Sequence, residues 1–196
     1  MNTRPPELDA FVTAAAEAFD RHATDPEGHG AAKAIFAALA EPAAPADSAN
    51  PGRLPACAHL PVALDNAAGD AALRPLIDRF RDLEPLLRWV RRPGDATASA
   101  DFPDGHANAM IAGPSGLEPR NDVWLGVSLL APGIRYPDHD HAPEEVYLVL
   151  SDGAFRQGDG DWFRPGIGGS FHNIPGIRHA MRAGDAPLFA LWALRA

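Results

Sequence analysis

The stretch that decides the fold is residues 133–147, which read GIRYPDHDHAPEEVY. It holds His139 and His141 one residue apart, followed by Glu145 and Tyr147, all at odd positions. Side chains of an extended strand alternate between its two faces, so these four point to one side if the intervening turn keeps the register. On a barrel strand that side can be the interior, and the spacing therefore predicts a polar cluster inside a β-structure.

The residue types of this cluster suit a metal ion. Neutral imidazole and carboxylate together bind divalent transition metals and can leave coordination positions open for a substrate. Four of the eight histidines fall between positions 139 and 179, with His172 and His179 completing the set. The spacing alone leaves a second interpretation open, in which the HDH stretch is a solvated polar turn.

Before residue 93 the chain has helical periodicity. Apolar residues at three- and four-residue spacing predict one face of a first helix: Leu8, Phe11, Val12, Ala15 and Phe19. Residues 31–39 predict a second helix, stopped by Pro42, and residues 42–55 are predicted to be a loop. A third helical stretch, residues 73–90, has Pro75 in its first turn, a break or kink at Pro85, and a stop at residues 91–94.

After residue 100 the chain consists of short β-like runs between Gly and Pro. The predicted strands are residues 123–130, 144–150, 154–157, 169–174 and 188–194. Several short strands at this spacing indicate a sandwich or a barrel. The sequence thus predicts a mainly β protein, with a helical portion over residues 1–95 packed on, or capping, a small antiparallel barrel over residues 96–196.

Composition excludes several classes of partner. The net charge is −9 over 196 residues, so we expect neither a nucleic-acid nor an anionic membrane partner. No apolar run approaches the roughly 20 residues that span a bilayer, and the first residues show no secretory signal, so we expect a cytoplasmic protein. The single cysteine, Cys57, is predicted to be a small buried hydrophobe. Four further histidines are interpreted as ordinary surface or loop residues: His22, His29, His59 and His106.

Two motifs resemble those of the cupin superfamily. Gly133, His139, His141 and Glu145 match the first motif, G-x5-H-x-H-x3-E, although Asp152 stands where its last glycine belongs. The second motif, G-x5-P-x-G-x2-H-x3-N, is matched less closely. Its glycine, proline, second glycine and histidine correspond to Gly169, Pro175, Gly176 and His179, while Ala183 replaces the final asparagine. The resemblance implies a cupin barrel with one metal site. All four ligand positions of the two motifs are occupied in this chain, by His139, His141, Glu145 and His179.

The run Y-P-x-H-x-H-x-P-E-E-x-Y more closely resembles the cupin-type dimethylsulfoniopropionate lyases of marine bacteria. That resemblance implies one divalent transition metal ion, such as Zn, Fe or Mn, held by His141, Glu145 and His179. It leaves His139 as a fourth ligand or as a polar group beside the metal. Tyr136 and Tyr147, the only tyrosines of the chain, flank the motif as in that family.

The implied reaction is a β-elimination that releases dimethyl sulfide and acrylate from a small zwitterionic substrate. Tyr147 would be the general base, and Tyr136 would bind substrate or share the proton transfer. The cationic sulfonium group suits aromatic faces, and the candidates on predicted strands are Trp124, Phe171 and Trp192, each of which has a core role as its alternative. His172 directly follows Phe171, so its side chain is on the opposite face of the predicted strand and is expected to face outward.

Two rival functions remain open at this point. One is another cupin metalloenzyme, a dioxygenase or an isomerase, which would keep the metal ligands without needing Tyr147. The other is a non-catalytic cupin that binds a small ligand. The sequence also leaves open whether the protein is a monomer or a homodimer.

Overall fold

The computed structural model describes residues 3–44 and 50–196, and the fold is mainly antiparallel β with helices preceding most of the strands. The helices are α1 (Pro6–His22), α2 (Pro26–Leu39), α3 (Leu60–Ala68), α4 (Arg74–Leu83) and the single turn α5 (Phe102–Gly105). The strands are β1 (Trp89–Val90), β2 (His106–Ala112), β3 (Val123–Leu130), β4 (Glu144–Val149), β5 (Ala154–Gln157), β6 (Ser170–Asn173), β7 (His179–Arg182) and β8 (Leu188–Arg195).

The first two predicted helices are present, although α2 begins at Pro26, five residues before its predicted start. All five apolar residues of the periodic pattern in α1 are buried on one face. In α2 the side chain of Asp25 caps the first turn by accepting a hydrogen bond from the backbone N–H of Gly28 at 2.6 Å. Both helices have proline in their first turn, where a missing N–H costs nothing. Local sequence is therefore sufficient to explain these two elements.

The third helical stretch is only partly as predicted. Helix α4 ends at Leu83 and a short 3-10 turn over Glu84–Leu86 follows, so the break expected at Pro85 is confirmed. The predicted stop at residues 91–94 is wrong, because Trp89 and Val90 form strand β1. Pairing with β2 outweighs the helical periodicity of this segment.

The predicted loop over residues 42–55 falls partly on residues 45–49, which lie outside the described residues. After it, a 3-10 turn over Pro55–His59 and helix α3 were not predicted. Cys57 lies in this turn and is buried, as expected.

The strands form a six-stranded sheet in the order β1-β2-β3-β8-β4-β6 and a two-stranded sheet of β5 and β7, with every pair antiparallel. All five predicted strands are present within one or two residues of their predicted ends. Strands β2 and β7 were missed. Neither segment has a clear alternation of apolar and polar residues, so both lack a period-two signal.

One face of the six-stranded sheet packs on the helices, and the other faces the site. In β4, Val146 and Leu148 belong to the core shared with the helices, whereas Tyr147 and Val149 belong to a second cluster. Phe80 of α4 packs against both the helices and the sheet. Its ring centroid lies 5.8 Å from that of Phe11 in α1 and 5.1 Å from that of Phe189 in β8.

We expect Phe80→Ala to destabilise the protein by about 3–5 kcal/mol, because it removes a buried ring that contacts both the helices and the sheet. Urea unfolding followed by circular dichroism measures the change. Val62→Ala on α3, where the side chain is 53% exposed, is the matched control and should change stability by less than about 0.5 kcal/mol. An equal, small effect of both substitutions would show that the helices are not anchored through Phe80.

Candidate active site

Strand β4 presents Glu145 and Tyr147 on the same face, as their odd parity predicts. In the antiparallel register Glu145 lies opposite Leu194 of β8 and Asn173 of β6, while Tyr147 lies opposite Trp192 and Phe171. His172 pairs with Val146 and is therefore on the other face, where its Nε2 is 3.2 Å from Glu144. The expectation that His172 points away from the site is confirmed.

Backbone hydrogen bonds join the segment before β4 to the start of β7. His139 and His179 exchange two backbone hydrogen bonds, of 3.0 and 2.8 Å. The backbone N–H of Gly176 also donates to the carbonyl oxygen of His141 at 2.9 Å. These bonds bring the two motifs together, although some 40 residues separate them along the chain.

The hydrogen bonds of His141 and His179 fix which ring nitrogen carries the hydrogen. His141 Nδ1 is 2.8 Å from the carbonyl oxygen of Pro143, and His179 Nδ1 is 2.9 Å from that of Ile177. A carbonyl oxygen can only accept, so Nδ1 is the donor and the Nε2 of the neutral ring offers a lone pair. Carbonyl groups commonly orient metal-binding histidines in this way.

Both Nε2 atoms converge on a buried carboxylate. Each lies 3.3 Å from Oε2 of Glu145, and both are buried without a hydrogen-bond partner among the described residues. Asn173 Nδ2 donates to the same carboxylate oxygen at 2.9 Å. The ligand atoms of His141, Glu145 and His179 lie within 4.8 Å of one another. Two lone pairs facing a buried carboxylate need a positive charge between them, so these residues fit a divalent cation.

The charges of this group are strongly coupled. Burial opposes ionisation of Glu145, but protonated His141 and His179, which face its carboxylate when no cation is bound, outweigh burial and hold the pKa of Glu145 at about 2. Burial also opposes the charged form of His141, yet the Glu145 carboxylate raises the pKa of His141 above its usual value. The carboxylate is therefore ionised near neutral pH and available as a ligand.

His139 lies beside this group rather than within it. It is not one of the three residues, among those described, whose ligand atoms converge, although its ring centroid is 4.1 Å from that of His179. Its Nδ1 lies 3.0 Å from the carbonyl oxygen of Pro137. Burial, with the neighbouring His179, lowers the pKa of His139 to about 3, so its ring is neutral.

A cavity of about 170 Å³ opens over this group. Seven of the nine predicted site residues line it: Trp124, Tyr136, His139, His141, Glu145, Tyr147 and Trp192. His179 is not among the described residues that line the cavity, but its ring centroid lies 5.0 Å from that of His141, which does. Phe171 is not among the described residues that line the cavity; it stacks behind Tyr147 at 5.1 Å with an interplanar angle of 19°.

Both tyrosines are buried at the cavity wall. The hydroxyl of Tyr136 accepts a hydrogen bond from Asn108 Nδ2 at 2.8 Å, and burial raises the pKa of Tyr136. Burial and the nearby Glu145 carboxylate raise the pKa of Tyr147 well above its usual value in the protein without a cation. The two hydroxyl groups therefore differ in their partners: Asn108 and Arg92 for Tyr136, and Glu145 for Tyr147.

The wall of the cavity includes residues that sequence reasoning missed. Asn108 and Met110 come from the unpredicted strand β2, and Ser128 accepts a hydrogen bond from Trp192 Nε1 at 3.1 Å. Gly126 lies opposite Trp192, and a Cβ there would meet the Trp192 ring at 2.3 Å. The glycine within the apolar run of β3 was the one available signal, since a strand glycine often marks a close approach.

The interpretation of His106 as a surface or loop residue is wrong. His106 begins β2 and is fully buried, and its ring stacks on Phe102 at a centroid distance of 3.6 Å. Both ring nitrogens are hydrogen-bonded, Nδ1 to the carbonyl oxygen of Phe102 and Nε2 to the backbone N–H of Arg92. A buried histidine with two satisfied nitrogens gives no local sequence signal, because both partners are backbone groups.

Fold and site together define a class of protein: an antiparallel β protein with preceding helices and a His/Glu/His group able to hold a metal ion. The model of the dimethylsulfoniopropionate lyase family matches residues 28–190. The chain therefore belongs to the dimethylsulfoniopropionate lyase family and is a carbon–sulfur lyase. This confirms the resemblance and excludes the non-catalytic alternative.

Individual relatives agree with this assignment. Dimethylsulfoniopropionate lyase DddQ of Ruegeria pomeroyi is 29% identical over 184 residues, covering 93% of this chain and 87% of the relative. The crystal structure of DddQ from the same organism superposes with a TM-score of 0.68 at 26% identity, over 96% of this chain and 92% of that one. A chain from the crystal structures of the dimethylsulfoniopropionate lyases RdDddP and RnDddQII has the same fold, with a TM-score of 0.65 at 24% identity over 97% of this chain and 92% of that one. Among the described residues, none of the helices combines the length and apolar character that crossing a bilayer requires.

Proposed function

We propose that this protein cleaves dimethylsulfoniopropionate to dimethyl sulfide and acrylate by β-elimination, with Tyr147 as the general base. The observation that carries the proposal is the placement of Tyr147 two residues after Glu145 on one strand face, at the wall of a cavity that also holds His141. The family assignment supports the substrate, since the relatives named above are dimethylsulfoniopropionate lyases.

One divalent transition metal ion per chain is part of the proposal. His141, Glu145 and His179 would hold it, and His139 would stand beside it as a fourth ligand or a neutral polar neighbour. When bound, the cation would supply Lewis acidity to the substrate carboxylate and positive charge beside Tyr147. Sites of this composition accept Zn, Fe or Mn, and availability decides among them.

The proton transfer rests on Tyr147. Because burial and, after it, Glu145 raise the pKa of Tyr147, its phenolate would need positive charge nearby to offset both effects. The phenolate oxygen then takes the proton from the carbon next to the carboxylate. The electron pair of that C–H bond forms the double bond of acrylate, and the C–S electron pair leaves with neutral dimethyl sulfide.

The remaining cavity residues position the substrate in this scheme. Tyr136 accepts a hydrogen bond from Asn108, which leaves its own O–H free to donate to the substrate. Trp124 and Trp192 offer aromatic faces to the sulfonium group. Phe171, which stacks on Tyr147, would hold the ring of the base in place and not contact the substrate.

We further propose the chain organisation that the site requires. Residues 96–196 would form a cupin-type barrel around the cavity, and residues 1–95 would be the helical portion packed on it. The contacts of Phe80 with Phe11 and Phe189 support a common core between the two portions.

The test is headspace detection of dimethyl sulfide from purified protein and dimethylsulfoniopropionate, with elemental analysis of the same sample. We expect dimethyl sulfide release, about one divalent transition metal ion per chain, and loss of both after chelation, with recovery when the metal is restored. No release from metal-loaded protein would contradict the substrate and favour a dioxygenase or isomerase. Full activity of metal-free protein would contradict the mechanism.

A further inference from the structure

Arg92 is an unneutralised positive charge at the mouth of the cavity. It follows β1 and lines the cavity together with Asn108 and Tyr136, and its guanidinium carbon lies 5.8 Å from the Tyr136 ring centroid. Its side chain is exposed and has no carboxylate within ion-pair distance among the described residues. The adjacent Arg91, by contrast, is paired with Asp104 at 2.5 Å.

The backbone of Arg92 is held in place by a buried group. Its N–H donates to His106 Nε2 at 2.8 Å, and His106 is fixed in turn by its hydrogen bond to Phe102 and by stacking on that ring. Burial lowers the pKa of His106, so the ring is neutral and Nε2 accepts. The backbone of Arg92 is therefore held in one position while its side chain is exposed. Such an arginine can bind a ligand in a defined orientation.

The charges around the cavity favour an anion at this position. Glu145 is the only acidic residue among the described residues that line the cavity, and it faces His141 and His179. An anion that enters therefore meets Arg92 as a charge that no carboxylate of the described residues neutralises, on a protein whose net charge is −9. A guanidinium group matches a carboxylate with two parallel N–H donors.

Arg92 and Trp124 lie at different places along the cavity wall. Val90, two residues before Arg92, pairs with Asn108, and Asn108 lies opposite Ser128 of β3. Trp124 is four residues before Ser128 in β3, which corresponds to about 13 Å of extended backbone. Arg92 and Trp124 are thus separated along the cavity wall, with Trp192 hydrogen-bonded to Ser128 between them, as a zwitterion with separate anionic and cationic groups would require.

We infer that Arg92 is a substrate-binding residue that receives the carboxylate of the zwitterion at the cavity mouth and selects for that charge. This inference rests on the proposed function for the identity of the substrate. It assigns the anion preference to a residue outside the His141, Glu145 and His179 group.

The test compares Arg92→Gln and Arg92→Lys with Arg91→Gln, a matched control that removes the same charge one residue away and outside the cavity. We expect Arg92→Gln to raise KM by about 10-fold or more with a far smaller change in kcat, because it removes charge-assisted hydrogen bonds to the carboxylate. Arg92→Lys should be intermediate, since it keeps the charge and loses the two-pronged geometry. Arg91→Gln should keep the KM of the unaltered protein.

A binding measurement separates this inference from the proposed function. Calorimetric titration with acrylate and with uncharged acrylamide should show a preference for acrylate in the unaltered protein and its loss in Arg92→Gln. Unchanged KM and an unchanged acrylate preference in Arg92→Gln would overturn the inference. If Arg92→Gln does not fold, as judged by circular dichroism, Arg92→Lys decides by the same two measurements. Absence of dimethyl sulfide from the unaltered protein would instead count against the proposed function, whatever the acrylate titrations give.

Discussion

Replacing Tyr147 by phenylalanine is expected to lower kcat by about 10²–10⁴-fold, the usual contribution of a placed general base, while the protein keeps its metal and its fold. Phenylalanine preserves the ring that stacks on Phe171 at 5.1 Å, so packing and cavity shape should change little. What disappears is the hydroxyl oxygen beside Glu145 that would accept the proton. Steady-state release of dimethyl sulfide, with elemental analysis of the same preparation, measures both parts of the expectation.

Tyr136→Phe is the comparison for this substitution. Tyr136 is equally buried at the cavity wall, but its hydroxyl contacts Asn108, so we expect a smaller loss of rate and an effect mainly on KM. A near-normal kcat in Tyr147→Phe would place the base elsewhere and favour other cupin chemistries. A larger loss in Tyr136→Phe than in Tyr147→Phe would exchange the roles of the two residues.

Glu145→Ala should abolish both metal binding and lyase activity while the fold survives. The carboxylate is the atom group on which His141 and His179 converge at 3.3 Å, so its removal takes away a charged ligand and the geometric centre of the site. We expect the same result for His141→Ala and His179→Ala. Circular dichroism should remain that of a folded protein, because the core between the helices and the sheet does not involve these residues.

The neighbouring Glu144 supplies the matched control. It is the same residue type on the same strand, but it lies on the opposite face and contacts His172 at 3.2 Å. Glu144→Ala should therefore keep full metal content and activity. Loss of the folded spectrum in all three ligand variants would mean that the metal, if bound, has a structural role, and loss of metal in Glu144→Ala would mean that the group has been assigned to the wrong face.

Much of the site could be predicted from sequence because it depends on local periodicity. The odd parity of Glu145 and Tyr147 places them on one face of β4, since alternation along a strand is fixed by backbone geometry. The helical face of α1 and the break at Pro85 were predictable for the same reason: both follow from backbone geometry within a few residues. His179 was predicted as well, but only through its resemblance to a known motif.

Other parts of the site were decided by tertiary structure alone. His139 stands beside the group of three because two backbone hydrogen bonds to His179 fix its position, and Phe171 packs behind Tyr147 because β6 pairs with β4 in a particular register. Arg92 reaches the cavity because β1 pairs with β2, an element without a periodic signal. Local geometry determines which face a side chain takes, but the neighbours across that face come from strands far away in the chain, and only their pairing brings them together.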